Sequence, residues 1–161
     1  MYAYKVKISI KGSKPPVYKT IAIPEGTPLT EVSREINFSF GWSGYHAHEY
    51  LIGKYTKIIP NEMRSFCDYE CGIEDDYTFD QVASRSLKYI YDFGDYWVHT
   101  FRFLKPIENY EHDYPMLINE KGENPIEDCG GVYALNEIRR ILADPDDPEY
   151  DEYVEMYGDC E

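Results

Sequence analysis

The sequence predicts an α+β fold: an antiparallel or mixed sheet with a β-grasp-like ββαβ start, a central β-hairpin and C-terminal helices. Three observations predict it. Apolar and polar residues alternate over 4–10 and again over 17–23, a helical pattern follows Pro28, and the clearest pair of strands lies within 88–104. A chain of 161 residues suits one domain, which we place at residues 1–161.

The first two strands are separated by residues 11–16, whose Gly and Pro content predicts a turn and therefore a hairpin. A helix follows, with Thr27 expected as its cap and Pro28 at its first position, where a missing N–H needs no partner. Gly41 is expected to end this helix. Its apolar face comprises Leu29, Val32, Ile36 and Phe40.

The middle of the chain is less regular. Residues 46–52 predict a third strand and residues 55–59 a fourth, whereas 60–77 are polar, acidic and irregular. A short helix is expected around 79–83.

The central hairpin comprises strands at 88–92 and 96–104, joined by a tight turn at 93–95. Residues 105–131, rich in Pro and Gly, predict a long connection, and connections of this length usually have a function or are fixed by contacts. Two helices follow. The first carries Leu135, Ile138 and Leu142 on one face, and the second starts near Asp147-Pro148.

The formal net charge is −14, and it is unevenly distributed. Residues 144–161, the acidic helical C-terminal segment, hold nine acids and no Lys or Arg, which leaves 21 acids against 16 bases, or −5, elsewhere. Nucleic-acid affinity depends on neutralising phosphates, so direct nucleic-acid binding is disfavoured. A protein partner with a basic surface fits this charge better, although solubility alone also accounts for it.

No apolar run approaches the ~20 residues that span a bilayer, so we expect no membrane segment. The N-terminus lacks the apolar core of a signal peptide, and we expect a cytoplasmic protein. Reduced thiols are then expected at the four cysteines, which are Cys67, Cys71, Cys129 and Cys160.

The segment His46-Ala47-His48 is a candidate metal site. Residues two apart on a strand point the same way, so the two imidazoles could share a divalent ion such as zinc with a third ligand. The alternative is a pair of hydrogen-bonded or exposed histidines at a strand end. Candidates for the remaining ligands are His99, Asp92, Asp95, Glu127 and Asp128.

Asp92-Phe93-Gly94 matches the magnesium-binding triplet of protein kinases, but the chain lacks the other kinase segments. An aspartate that accepts backbone hydrogen bonds in a turn explains it better. His99 lies between Trp97 and Phe101, a position that favours a core histidine over a base.

Glu127 and Asp128 form the third candidate site, since paired carboxylates in different environments can perform acid–base catalysis. Cys129 beside them is a possible nucleophile, but nothing local in the sequence activates it. The alternative is a buried loop that caps the following helix.

Three segments together resemble the plasmid pRiA4b ORF-3-like family. They are Trp42 with His46-Ala47-His48-Glu49-Tyr50, then residues 91–99, then residues 122–131. The resemblance implies a compact α+β fold and a bacterial or archaeal protein of a family often found on plasmids and mobile elements, and it implies no activity. Leu117 and Asn124 stand where the family often has cysteines, and Ala134-Leu135 replaces a usual Gly-Tyr.

The favoured function is therefore a protein-binding or accessory module. The alternative is a metal-dependent, hydrolytic enzyme, with His46 and His48 as ligands, Asp92 or Asp95 as a third, and Glu127 or Asp128 as a base. A DNA mimic, suggested by the acidic composition alone, ranks last.

Overall fold

A computed structural model of the chain describes residues 1–67 and 71–158. The strands are β1 (Ala3–Ile10), β2 (Tyr18–Pro24), β3 (His48–Ile52), β4 (Thr56–Ile59), β5 (Cys71–Ile73), β6 (Lys88–Tyr91), β7 (Trp97–Phe103) and β8 (Met116–Lys121). The helices are α1 (Leu29–Phe40), α2 (Phe79–Val82), α3 (Val132–Leu142) and α4 (Tyr150–Tyr157). Short 3₁₀ turns occupy Asn61–Phe66 and Glu74–Asp76.

The strands form one sheet in the order β5-β4-β3-β6-β7-β1-β2-β8. β4 and β5 pair in parallel and the other neighbours pair antiparallel, so the sheet is mixed. The α+β class, the ββαβ start and the central hairpin are confirmed. The β6–β7 hairpin lies between β1 and β3, which puts the turn after β6 near the middle of the sheet.

The apolar face of α1 packs into the core that the sheet residues form, with Leu29, Val32, Ile36 and Phe40 at most 1% exposed. Gly41 ends the helix in the left-handed conformation, as expected. The expected cap is wrong. Pro28 is the capping residue and offers no side-chain hydrogen bond, while the Thr27 hydroxyl donates to the Pro24 carbonyl at 2.6 Å.

β8 lies within the predicted long connection and pairs with β2. Its sequence, MLINEK, shows no alternation, because it is an edge strand whose last four residues are exposed. The irregular segment 60–77 likewise contains the short strand β5. Edge strands have little apolar surface to bury, so periodicity misses them.

The expectation of reduced thiols is wrong for one pair, since a disulfide joins Cys67 and Cys71, whose Cα atoms are 5.4 Å apart. That separation lies within the range a disulfide can bridge. Cys129 is free and half-buried. Cys160 lies outside the described residues.

Within the acidic C-terminal segment, the helix α4 spans Tyr150–Tyr157, and turns occupy 144–149 before it. α3 buries Leu135, Ile138 and Ile141, and α4 packs on α3 without a fully buried residue of its own. The last three residues, 159–161, lie outside the described part of the chain. No helix in the described part is long and apolar enough to cross a membrane.

Candidate metal centre

Three chain segments meet where β6 ends. They are the turn Asp92–Tyr96, the residues 42–47 that follow α1, and the loop 127–131 that precedes α3. The Asp92 N–H donates to the Ala47 carbonyl at 2.9 Å, and the Gly130 N–H donates to Asp95 Oδ2 at 3.1 Å. Backbone contacts therefore fix the two loops against the turn.

Gly131 lets the loop 127–131 approach the turn. A Cβ on Gly131 would lie only 2.7 Å from the Asp95 carbonyl oxygen. Its φ of 100° and ψ of −175° also fall in a region that essentially only glycine occupies. The Gly-Gly pair of the sequence thus has a steric reason, which is close docking of the carboxylate-bearing loop.

His46 is the centre of the cluster. Its Nε2 lies 2.6 Å from Asp128 Oδ1, 3.6 Å from Asp92 Oδ2 and 3.9 Å from Glu127 Oε2. One ligand atom each from His46, Asp92 and Asp128 lies within 4.8 Å of the other two. The structure therefore brings together four of the predicted site residues, from positions up to 82 residues apart.

Three carboxylates dominate the electrostatics of His46. Burial by itself lowers the pKa of His46, but the hydrogen bond to Asp128 and the charges of Asp92, Asp128 and Glu127 outweigh burial and raise that pKa. The same negative potential that favours an imidazolium also favours a metal cation.

Asp92 presents one oxygen to the cluster. Its Oδ1 accepts the N–H groups of Gly94 at 3.0 Å and Asp95 at 3.4 Å, whereas Oδ2 is directed at His46. The Asp92 side chain is only 8% exposed. The predicted role of this aspartate in the turn is thus confirmed for one oxygen, and the second oxygen is available as a ligand.

Asp92 and Asp128 both adopt left-handed backbone conformations, with φ of 64° and 63°. Among the described residues other than glycine, only Tyr96 shares this feature. Such conformations are unfavourable for residues with a Cβ and cluster at functional sites. Two of the three candidate ligands therefore lie at left-handed backbone positions, which aspartate tolerates better than most residues.

Glu127 lies at the edge of the cluster and is held by Ser43. The Ser43 N–H donates to Glu127 Oε1 at 2.7 Å, and the Ser43 hydroxyl donates to Glu127 Oε2 at 2.5 Å. Both oxygens are thus engaged, so Glu127 anchors the loop 127–131 to the segment after α1. Sequence reasoning missed Ser43, because a single serine in a turn has no distinguishing pattern.

His48 does not join His46. The strand begins at His48, so His46 lies before it, and the two rings take different partners. His48 Nε2 lies 3.0 Å and 3.2 Å from the two oxygens of Glu74. Sequence reasoning missed Glu74, which sits in the acidic run Glu74-Asp75-Asp76 and has no distinguishing pattern.

His99 and Asp95 each make a structural contact. The Asp95 carboxylate accepts the Gly130 N–H, and His99 lies in the core. The fully buried His99 ring accepts the Trp42 Nε1–H at 3.0 Å through Nε2, and its Nδ1 donates to the Tyr89 carbonyl at 2.9 Å. Burial lowers the pKa of His99 to about 4, so the ring is neutral at pH 7. Both nitrogens are occupied in the core, which leaves neither for a metal.

Cys129 is not an activated nucleophile. Burial raises the pKa of its thiol, and the charge of Asp95 raises it further. A reactive cysteine needs a lowered pKa, so this environment disfavours nucleophilic chemistry at Cys129.

Fold and site together define an α+β protein with a histidine–carboxylate cluster at one end of its central hairpin. The chain belongs to the plasmid pRiA4b ORF-3-like protein family, whose model matches residues 2–160.

Two relatives have been described only as proteins without a known function. The uncharacterized protein y4hQ of Sinorhizobium fredii (strain NBRC 101917 / NGR234) is 24% identical, over 96% of this chain and 80% of that protein. The crystal structure of MM3350, a protein of unknown function from Methanosarcina mazei Go1, superposes with a TM-score of 0.80 at 28% identity, covering 98% of this chain and 90% of that one. These similarities support the fold and the family, and the description of neither relative names an activity.

Proposed function

We propose that this protein binds one divalent metal ion through His46, Asp92 and Asp128, and that the ion serves a hydrolytic reaction. The observation that carries the proposal is the convergence of one imidazole and two carboxylates within 4.8 Å. Ligand atoms around a tetrahedral zinc ion lie about 3.3 Å apart, since each bond is about 2 Å long. The distances from His46 Nε2 to Asp128 Oδ1 (2.6 Å) and Asp92 Oδ2 (3.6 Å) lie on either side of that value, so small side-chain rotations would place the three atoms around one ion.

The donor set favours a transition metal. Imidazole suits zinc, and carboxylates suit manganese and magnesium, so a mixed set of one nitrogen and two oxygens fits Zn²⁺ or Mn²⁺. A bound ion would polarise a substrate oxygen and make hydroxide available at neutral pH. Three protein ligands also leave a position open for water, as in hydrolytic metal sites.

The protein's own residues would hold this geometry. Asp92 is fixed by the turn, and Asp128 is carried by the loop that Glu127 anchors to Ser43. The 2.6 Å hydrogen bond between His46 and Asp128 takes the place that the ion would occupy, so metal binding exchanges one proton for the ion.

Elemental analysis and calorimetric titration with Zn²⁺ and Mn²⁺ test the proposal. Tag-free protein is expected to bind one ion per chain. His46→Ala is expected to lower affinity by more than about 100-fold, because loss of outer partners alone costs about 10–100-fold. His112→Ala is the matched control, since the His112 ring contacts Tyr110 and Tyr114 and is not part of the cluster. Equal binding by His46→Ala and the control contradicts the proposal.

A second candidate function, the docking of a protein partner as an accessory module, is favoured by a different observation. Three exposed aromatic residues surround one cavity of about 620 Å³, and they are Phe66 (81% exposed), Phe93 (41%) and Tyr96 (48%). Exposed aromatic patches of this kind often mark protein interaction sites. The net charge of −14 favours a partner with a basic surface.

Affinity capture with wild type and with a Phe66→Ser/Phe93→Ser variant tests this second candidate. A specific partner retained by wild type and lost by the variant supports docking at the aromatic patch. Identical captured proteins from both contradict it.

A further inference from the structure

We propose that the side of the sheet that faces solvent binds single-stranded RNA. This basic face comprises the strand residues whose side chains point away from α1 and the core. Its basic members are Lys5, Lys7, Lys57, Lys88, Arg102 and Lys121. The inference does not depend on the metal site, and it gives the aromatic cavity a different occupant from a protein partner.

Side chains along β1 alternate between the two sides of the sheet. Val6 and Ile8 are fully buried in the core that includes the apolar residues of α1. Lys5 and Lys7 point to the other side and are half-buried there. Antiparallel sheets commonly pack one side on the core and leave the other side to solvent. The ammonium groups of this strand therefore reach water on the basic face.

The strand register arranges the basic residues in rows across the sheet. One row contains Lys57, Lys88 and Lys121. The residues between them in this row are Leu51, Thr100, Ser9 and Tyr18. Neighbouring strands lie about 4.8 Å apart, so the row spans about 29 Å across the sheet. This length suits an extended strand of several nucleotides.

Lys7 and Arg102 lie directly opposite each other in the next row, on β1 and β7. Like charges at directly opposite positions destabilise a sheet. Lys7 Nζ also lies 4.1 Å from the centre of the Tyr18 ring, a contact that holds the ammonium group on this side. An anion bound between the two cations would relieve their repulsion.

The basic face differs in charge from the whole molecule. Its strand residues include six bases and one acid, Glu49, whereas the chain carries a net charge of −14. Glu49 is 8% exposed, and its Oε2 lies 3.9 Å from Lys57 Nζ, so it offsets only part of this charge. Exposed charges more than about 8 Å apart are largely screened at physiological salt. The local charge of the face therefore acts on a ligand that lies against it.

Exposed aromatic side chains at one end of the basic face favour a single nucleic-acid strand over an acidic protein. Lys57 lines the cavity of about 620 Å³ together with Phe66, Phe93 and Tyr96. Unpaired bases stack on aromatic rings while basic residues contact the phosphates. An acidic peptide has carboxylates but no bases, and the bases of a duplex are already stacked on one another.

Uncharged polar residues between the basic side chains favour RNA over DNA. Ser9 lies in the row of Lys88, and Asn119 lies in the row of Lys7. A hydroxyl and an amide can each donate to and accept from a 2′-hydroxyl, the group that DNA lacks. The basic face therefore offers contacts to the phosphate, the base and the sugar of one strand.

Fluorescence anisotropy with a labelled oligouridylate of about 15 nucleotides tests the inference on the full chain. We expect saturable binding at about 50 mM NaCl. The logarithm of the binding constant is expected to fall with the logarithm of the salt concentration at a slope near about −4, the value for six phosphates neutralised on a single strand.

The variant Lys7→Glu/Arg102→Glu is expected to weaken binding by more than about 10-fold, because it reverses two adjacent charges of the face. Lys14→Glu/Arg34→Glu is the control with the same change in charge. Arg34 is exposed on α1, and the Lys14 N–H donates to Asn136 on α3 at 2.8 Å. Lys7→Gln/Arg102→Gln, compared with Lys14→Gln/Arg34→Gln, replaces this pair if the reversed charges prevent folding.

Phe66→Ala tests the stacking contact separately. It is expected to weaken binding by about 10-fold, the effect of losing one base–aromatic stack. Phe38→Ala is the matched control, because Phe38 is 82% exposed on α1.

No binding by wild type, or equal weakening by the face and control variants, overturns the inference. Polyglutamate that competes as well as oligouridylate does overturns the choice of a nucleic acid and assigns the face to an acidic protein. Equal affinity for oligothymidylate overturns the choice of RNA, and tighter binding of a duplex overturns the choice of a single strand.

Discussion

His46 and His99 show how position gives one side chain two opposite properties. Three carboxylates surround His46 and raise its pKa, whereas burial lowers the pKa of His99 to about 4. His99 joins Trp42 of the segment after α1 to the carbonyl of Tyr89 on β6. The neutral ring therefore supports the segment that carries His46 without taking part in the cluster.

The low pKa of His99 predicts a loss of stability in acid. Unfolded chains bind a proton at this histidine below about pH 6.5, while the folded protein does so only near pH 4. The contribution of His99 to the free energy of unfolding is therefore complete above pH 6.5 and is lost as the pH falls towards 4. The loss amounts to about 3 kcal/mol, because each pKa unit corresponds to about 1.4 kcal/mol.

Urea unfolding at pH 7 and at about pH 4.5 measures this effect. The His99→Gln variant keeps a donor and an acceptor but has no proton to gain, so over this pH interval its stability is expected to fall by about 2 kcal/mol less than that of wild type. Parallel losses in the two proteins would show that His99 does not control the acid response.

At the scale of elements, the site depends on the docking of the loop 127–131 against the turn Asp92–Tyr96. The loop reaches the turn through Gly130 and Gly131 and carries Asp128 to His46. A displaced loop would leave Asp92 and His46 without their third partner.

Gly131→Ala is expected to destabilise the protein by about 3 kcal/mol, since it adds a clash to an unfavourable backbone conformation. Gly26→Ala is the matched control, because Gly26 has a φ of 83° and no atom within 4 Å of an added Cβ. The control is expected to lose about 1 kcal/mol. Thermal unfolding and Zn²⁺ titration of both variants measure the difference, and metal affinity is expected to fall only for Gly131→Ala. Equal losses would refute the role of close docking.

The elements with strong periodicity were predictable. Alternating strands and the apolar face of α1 follow from burial on one side, and the β6–β7 hairpin follows from its turn. β8 was not predictable, because an exposed edge strand needs no alternation. The candidate site residues were also visible and were placed in one group, but which of them meet was not predictable: His46 meets Asp92 and Asp128, whereas His48 and His99 take other partners. Contacts across 82 residues, such as that between His46 and Asp128, arise only when distant loops dock.

For the molecule as a whole, the acidic C-terminal segment is an appendage to the sheet. α4 has no buried residue, and its contact with the body runs through α3. Arg140 bonds to Asp147 at 3.3 Å, an exposed contact of the kind that contributes little stability. The segment thus adds charge more than it adds packing.

A chain ending at Ala143 is expected to stay folded and to lose no more than about 2 kcal/mol of stability. It lacks nine acids, so its net charge is expected to be −5. Circular dichroism and urea unfolding of the shortened chain measure this. Failure of the shortened chain to fold would show that α4 is part of the core structure.

His46, Asp92 and Asp128 are proposed to hold one divalent ion between them. Anomalous diffraction from crystals grown with Zn²⁺, recorded at the zinc absorption edge, would locate this ion. We expect one strong peak about 2 Å from His46 Nε2, Asp92 Oδ2 and Asp128 Oδ1, and no peak at that position in crystals of His46→Ala. A crystal that contains one Zn²⁺ per chain but shows no peak between these three side chains would overturn the proposed metal site.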